Sequence, residues 1–153
     1  MRSVRFIIAL SASCGSWIDM REYVRLQTAM LLRRLAFQVS RTARSGKDAD
    51  AIHDLRVAIR RLSRCLRVFS EFYPGGSWKK IRKELGELMQ SAGRVRDRDI
   101  ALAFLAEAGV GRRGVVAARL EAERKQAARD LLLEARRWKR SGFSRKWRNG
   151  LEL

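Results

Sequence analysis

Between His53 and Phe72 the chain reads HDLRVAIRRLSRCLRVFSEF, a pattern that suits one long amphipathic helix far better than anything else. At about 100° per residue, His53, Arg56, Arg60, Arg64 and Arg67 fall within an arc of roughly 60–80°. Leu55, Ala58, Ile59, Leu62, Cys65, Leu66, Phe69 and Phe72 occupy the opposite side. One side is built to enter a core. The other gathers four guanidinium groups and an imidazole with no carboxylate among them.

Arginine is a good helix former and is usually exposed, so an Arg-rich outer face is often only a solvated one. Solvated faces, however, normally interleave Glu with Lys at i,i+4 and gain a few tenths of a kcal/mol per pair. Here like charges recur at four-residue spacing from Arg56 to Arg60 to Arg64, which costs a helix a similar amount. A face that accepts this repulsion is better explained by an anionic ligand.

The whole chain points the same way. With 34 Lys+Arg against 16 Asp+Glu, the formal charge is +18 over 153 residues, far beyond what solubility requires. The partners that suit such a charge are nucleic acid, an inorganic or nucleotide phosphate chain, or an acidic membrane surface. A hydrophobic content of 46% is enough for a real core and argues against a disordered basic tail. One Pro, eleven Gly and long periodic apolar stretches predict an all-α fold, a helical bundle of about four to five helices.

Two cysteines, Cys14 and Cys65, make no disulfide framework, and one histidine excludes the usual zinc spacings. Cys65 lies on the apolar side of its helix and reads as a small buried hydrophobe. A reducing cytoplasm is the expected compartment. The first residues, MRSVRFIIALSASCG, loosely imitate a signal or lipoprotein sequence, but the apolar run Phe6 to Leu10 is too short and Ser11 stands where a lipobox wants Leu. Residues 1–19 are therefore expected to be a disordered leader, or to precede a true start at Met20, with the folded domain over 20–153. No segment approaches the roughly 20 apolar residues of a membrane span, so no membrane partner is expected.

The first helix should run from about Ile18 to Ala43, with two apolar arcs: Val24, Leu31, Leu35 and Val39 on one, Leu26, Met30 and Phe37 on the other. Asp48 or Asp50 can cap the second helix, which sets His53 in or near its first turn, where backbone amides favour an anion. After Pro74-Gly75-Gly76, Ser77 can cap a third helix with Trp78, Ile81, Leu85, Leu88, Met89 and Ala92 in one stripe. Gly93 is expected to interrupt it before a short helix ending near Ala108. Gly109, Gly111 and Gly114 mark a turn, and a last long helix from Val115 to about Arg140 should bury Val116, Leu120, Ala127, Leu131 and Trp138. Arg124 sits awkwardly in that arc. The ending WKRSGFSRKWRNGLEL has no clear assignment.

HDLRVAIRRLSRCLRVF, followed about one helix later by LGELMQSAGRVRDRDIALAFL, resembles the CHAD domain, the conserved histidine α-helical domain. The resemblance spans roughly Met20 to Arg140 and rests on two ordered motifs. It implies binding of inorganic polyphosphate through a basic groove, sometimes beside a triphosphate-processing domain or at polyphosphate granules. The eponymous histidine corresponds to His53, the basic helix positions to Arg56, Arg60, Arg64 and Arg67, and the second motif to Gly93, Arg96, Asp97 and Asp99. The family is usually about twice as long, with two four-helix halves facing across the groove, and this chain matches the first half.

Arg suits such a ligand because it forks onto phosphate oxygens and stays charged. The row from Arg56 to Arg67 is about 16 Å long at 1.5 Å per residue, enough to track several phosphate units. Lys79, Lys80 and Lys83 could add point charges from the next helix, and Arg96 a further fork. His53 could add a donor when ligand arrives. Asp97 and Asp99, set among Arg94, Arg96 and Arg98, read as ion-pairing residues that cap a helix rather than as a metal site. Neither metal-binding carboxylates nor an activated nucleophile suggest an enzyme, and no cofactor is implied. Nonspecific nucleic-acid binding is the alternative, although the basic face lacks side chains for reading or stacking bases. Recruitment of proteins to polyphosphate granules is another. One half of the family's fold offers one wall of a groove, so a homodimer across the Leu26, Met30 and Phe37 arc is expected to bring two Arg rows together.

Overall fold

The computed structural model describes residues 19–45, 48–111 and 114–153. The expectations for the leader and Cys14 lie outside those residues. Four long helices, α1 (Met20–Thr42), α2 (Ala49–Val68), α3 (Ser77–Glu107) and α4 (Val115–Ser141), are followed by a short α5 (Phe143–Gly150). Each long helix packs on the next, and α1 also meets α4, which closes the ring into a four-helix bundle. Among the described residues there is no strand, so the all-α expectation holds.

The joins are built from local chemistry. Asp48 caps α2, accepting from the amides of Asp50 (3.0 Å) and Ala51 (3.2 Å). Arg41, in the last turn of α1, reaches both Asp48 (3.2 Å) and Asp54 (2.8 Å), which holds the two helices at a fixed turn. Gly75 and Gly76 take φ of 59° and 69°, the left-handed region that reverses the chain into α3. Ser77 does not cap that helix; Gly76 stands at the cap, and the Ser77 hydroxyl instead donates toward the carbonyl of Gly150 (2.6 Å), tying α3 to the end of α5.

Two further expectations need correction. Gly93 does not break α3, which runs unbroken from Ser77 to Glu107. An interior glycine costs a helix only about 1 kcal/mol, and α3 is long enough and packed enough to absorb it. The first arc of α1 also needs correction at one position, where Leu32 rather than Leu31 is fully buried. Val24, Thr28, Leu32, Leu35 and Val39 form one buried face that serves its neighbours, Leu31 is only partly buried, and Leu26, Met30 and Phe37 remain exposed.

The core consists of that α1 face together with Ile52, Leu55, Leu62 and Leu66 of α2, Leu85, Leu88 and Val95 of α3, and Leu131 and Ala135 of α4. Cys65 is buried as expected. Its thiol lies near the Thr28 hydroxyl, which also meets the Tyr73 hydroxyl at 2.7 Å and so fastens the turn after α2 onto α1. Burial pushes the Tyr73 phenol above its ordinary range.

The unassigned ending closes the bottom of the bundle. Trp138, Phe143 and Trp147 stack with ring centroids 5.0–5.3 Å apart, and the Trp147 indole donates to Glu84 of α3. Gly142, with φ of 64°, turns the chain between α4 and α5 so that these rings can meet. At the other end, α4 buries Ala117 rather than Val116, which is exposed, and Leu120 is only half-buried.

Candidate functional site

Because α2 commits Ile52, Leu55, Ala58, Ile59, Leu62, Cys65 and Leu66 to the interior, its other face is fixed by helical geometry. His53, Arg60, Arg64 and Arg67 are exposed there, and Arg56 is half-buried. Among the described residues, none of these four arginines pairs with a carboxylate. The ion pairs that do form lie elsewhere, between Arg41 and Asp48 or Asp54, Arg98 and Glu123, Arg119 and Glu123, and Arg124 and Asp99.

A groove of about 260 Å³ runs between α2 and α3. Arg60, Ser63, Arg64 and Arg67 line one bank, and Arg82, Gly86 and Met89 line the other, over a floor of Ile59 and Leu85. Two features of α3 shape it. Nothing stands over Gly86 within 4 Å of where a Cβ would lie, so its missing side chain is open groove. At Gly93, two turns on, a Cβ would come within 3.1 Å of the Arg56 guanidinium. The glycine expected to break the helix instead lets α2's first arginine lie against α3.

Arg82 is the site residue that sequence reasoning missed. Its guanidinium is held from both sides, donating toward the Ser63 hydroxyl at 3.5 Å and lying 5.8 Å from the centroid of the Trp78 ring. A signal was available, since Arg82, Gly86, Met89, Gly93 and Arg96 recur at i, i+4, i+7, i+11 and i+14 and share one side of α3. Arg96 is half-buried on that side, one turn past Gly93.

The three lysines do not join the groove. Lys83 and Lys80 are turned roughly 100° and 160° from Arg82 around the helix, and the Lys79 ammonium stands over the Trp78 ring at 5.7 Å. All three are exposed on the bank's outer slope. His53 is exposed one turn before Arg56 and makes no side-chain hydrogen bond among the described residues. The roles expected for the acidic pair also change. Asp99 pairs with Arg124 of α4, which explains how that arginine is tolerated near the core, and Asp97 is exposed. Neither caps a helix, because α3 runs through them, and Arg94 is held instead by the Ser91 hydroxyl at 3.0 Å. Among the described residues no group of His, Cys, Asp and Glu is placed to hold a metal ion, and no helix is long and apolar enough to cross a membrane.

Chemically, the groove offers fixed positive charge with planar donors on both banks and no competing carboxylate. It can hold a linear anion by its oxygens. The family model of the CHAD domain matches residues 27–152, a span that contains both banks. The chain belongs to the CHAD domain family. Searches among curated proteins and among solved structures find no match to it.

Proposed function

We propose, proceeding from that membership, that the chain binds inorganic polyphosphate in the α2–α3 groove without turning it over. The observation that carries this reading is the row Arg56, Arg60, Arg64 and Arg67, left without carboxylate partners among the described residues and faced by Arg82. An unpaired guanidinium row is costly to assemble, and a phosphate chain relieves its mutual repulsion along the whole length. The ligand has no sequence to be read, so spacing and charge suffice. Arg96 and His53 extend the row at the end nearest the start of α2, while Lys79, Lys80 and Lys83 contribute a diffuse field from outside the groove.

Competition between long-chain polyphosphate and duplex DNA at physiological salt tests the proposal. Polyphosphate should displace DNA and should itself be released steeply by added salt, as counterion release on polyanions requires. Preferential retention of DNA would overturn the reading in favour of a nonspecific nucleic-acid-binding protein. Hydrolysis of the polyphosphate during the assay would overturn the noncatalytic part.

A further inference from the structure

The last buried residue of α3 is Val95, yet the helix continues to Glu107. In α4 the mirror situation holds, since Ala117 is the one buried residue before Ala127 among those described. About twelve residues of each helix, roughly 18 Å, therefore stand beyond the point where the core ends. The Asp99–Arg124 pair marks that point. Above it, the two arms enclose an open cleft of about 460 Å³, lined by Leu102, Ala103, Ala106 and Val110 on one side and by Ala117 with the charged Glu121 and Lys125 on the α4 side.

These positions continue the core stripe. Val95, Asp99, Leu102 and Ala106 follow the same three-and-four spacing that buries Leu85, Leu88 and Ala92 below them. The hairpin thus carries the apolar α3 stripe past the end of the core, with Ala117, Glu121 and Lys125 of α4 across the cleft and no further helix set against it among the described residues. Of the ten large apolar side chains left exposed among the described residues, Val110 lines this cleft, whereas Ile100 and Phe104 lie on the side of α3 away from Leu102 and Ala106, and Val115 on the side of α4 away from Ala117.

We infer that this α3–α4 overhang is a two-fold interface, occupied by the same hairpin of a second copy of the chain. Charge decides the occupant. Residues 99–126 carry four carboxylates against five basic residues, whereas the whole chain is +18. Two copies of so basic a protein repel over most of their surfaces, and this end is where they can meet at little electrostatic cost. The α1 arc of Leu26, Met30 and Phe37, expected from sequence to be the dimer face, is poorer on this count because Arg33 falls in the same stripe and Arg34 beside it. Two hairpins brought together complete a four-helix layer and cover both clefts.

The inference is independent of polyphosphate binding, and its test uses ligand-free protein. Sedimentation of the full chain at micromolar concentration should give a dimer, tightened by added salt because screening removes repulsion between the remaining basic surfaces. Ala106→Glu, inside the cleft, should weaken association at least about ten-fold with helicity unchanged, and Met30→Glu on α1 should leave it intact. If Ala106→Glu fails to fold, Val110→Glu, in the turn that lines the same cleft, takes its place. A wild-type monomer, or a dimer broken by Met30→Glu and retained in the overhang variants, would overturn the inference.

Discussion

The two halves of α3 put their arginines to opposite uses. From Ser77 to Val95 the helix rests on the core, and the groove beside it collects Arg60, Arg64, Arg67 and Arg82, with Arg56 against Gly93 beyond its end and no carboxylate among them. Beyond Val95 the core is gone, and Arg98, Arg119 and Arg124 are each held by Glu123 or Asp99. Where α3 packs on the core, the fold tolerates a row of unneutralised charge beside it. Where packing is weak, charge is neutralised within the chain. An arginine count alone would have missed that division, because both regions are rich in the residue.

The strongest way to break the comparison is to empty the row. Replacing Arg56, Arg60 and Arg64 together with Gln should reduce polyphosphate affinity by at least about a hundred-fold, since hydrogen bonds to charged groups contribute roughly 1.5–3 kcal/mol each. Far-ultraviolet circular dichroism should be unchanged, because these side chains face away from the core, and thermal stability should hold or rise as repulsion is relieved. Undiminished affinity in a folded triple variant would show that the groove is not the site.

Next in size is Gly86→Leu, which separates binding from stability. A Cβ at this position meets no protein atom within 4 Å and the rest of the leucine would occupy the groove, so affinity should fall about ten-fold, while the helix gains up to roughly 1 kcal/mol from losing an interior glycine. Calorimetry for binding and thermal melting for stability should therefore move in opposite directions. Parallel movement would mean that Gly86 serves packing rather than access.

A finer test compares the inner and outer slopes of α3. Arg82→Ala should cost about five-fold in affinity, as loss of one fork, whereas Lys80→Ala should cost no more than about two-fold, as loss of one solvated point charge. Equal losses would return the lysines to the site and demote Arg82.

The legible part of the molecule was whatever repeats. The α2 circumference, the positions of the long helices and the burial of Cys65 follow from periodicity, which acts over one helix at a time. What escaped depends on two helices at once. Gly93 carries the local signature of a break, and only the approach of Arg56 from α2 gives its missing side chain a use. Arg82 shows the same charge in the sequence as Lys79, Lys80 and Lys83, and what separates it from them, orientation toward α2, is set by the packing of Ile81, Leu85 and Leu88. Asp99 and Arg124, 25 residues apart, form a pair that neither helix announces. The final aromatic cluster likewise needed Gly142 to fold three rings together.

The smallest expected effect concerns a paired arginine, as a foil for the unpaired row. Asp48 accepts from two backbone amides and faces Arg41, and the hydrogen bond from Ala51, with a further one from Asp50 and the Arg41 charge, holds its carboxyl below the ordinary value of 3.8. A carboxyl lowered in the folded state contributes stability that is present above its unfolded pKa and is lost as pH falls through the folded one. Asp48→Asn keeps a cap acceptor of similar quality and removes the charge, so it isolates the contribution of the pair. Above pH 5 the variant should melt slightly below the wild type, and on acidification through and below 3.8 the two melting curves should converge as the native carboxyl takes up its proton. Polyphosphate affinity should be the same in both proteins at neutral pH, because Arg41 is already committed to Asp48 and Asp54 and stands outside the groove lining. A variant that binds polyphosphate more tightly would show that removing one of Arg41's two carboxylates, with Asp54 still in place, is enough to strengthen binding, and that pairing rather than position draws the line between the two uses of arginine.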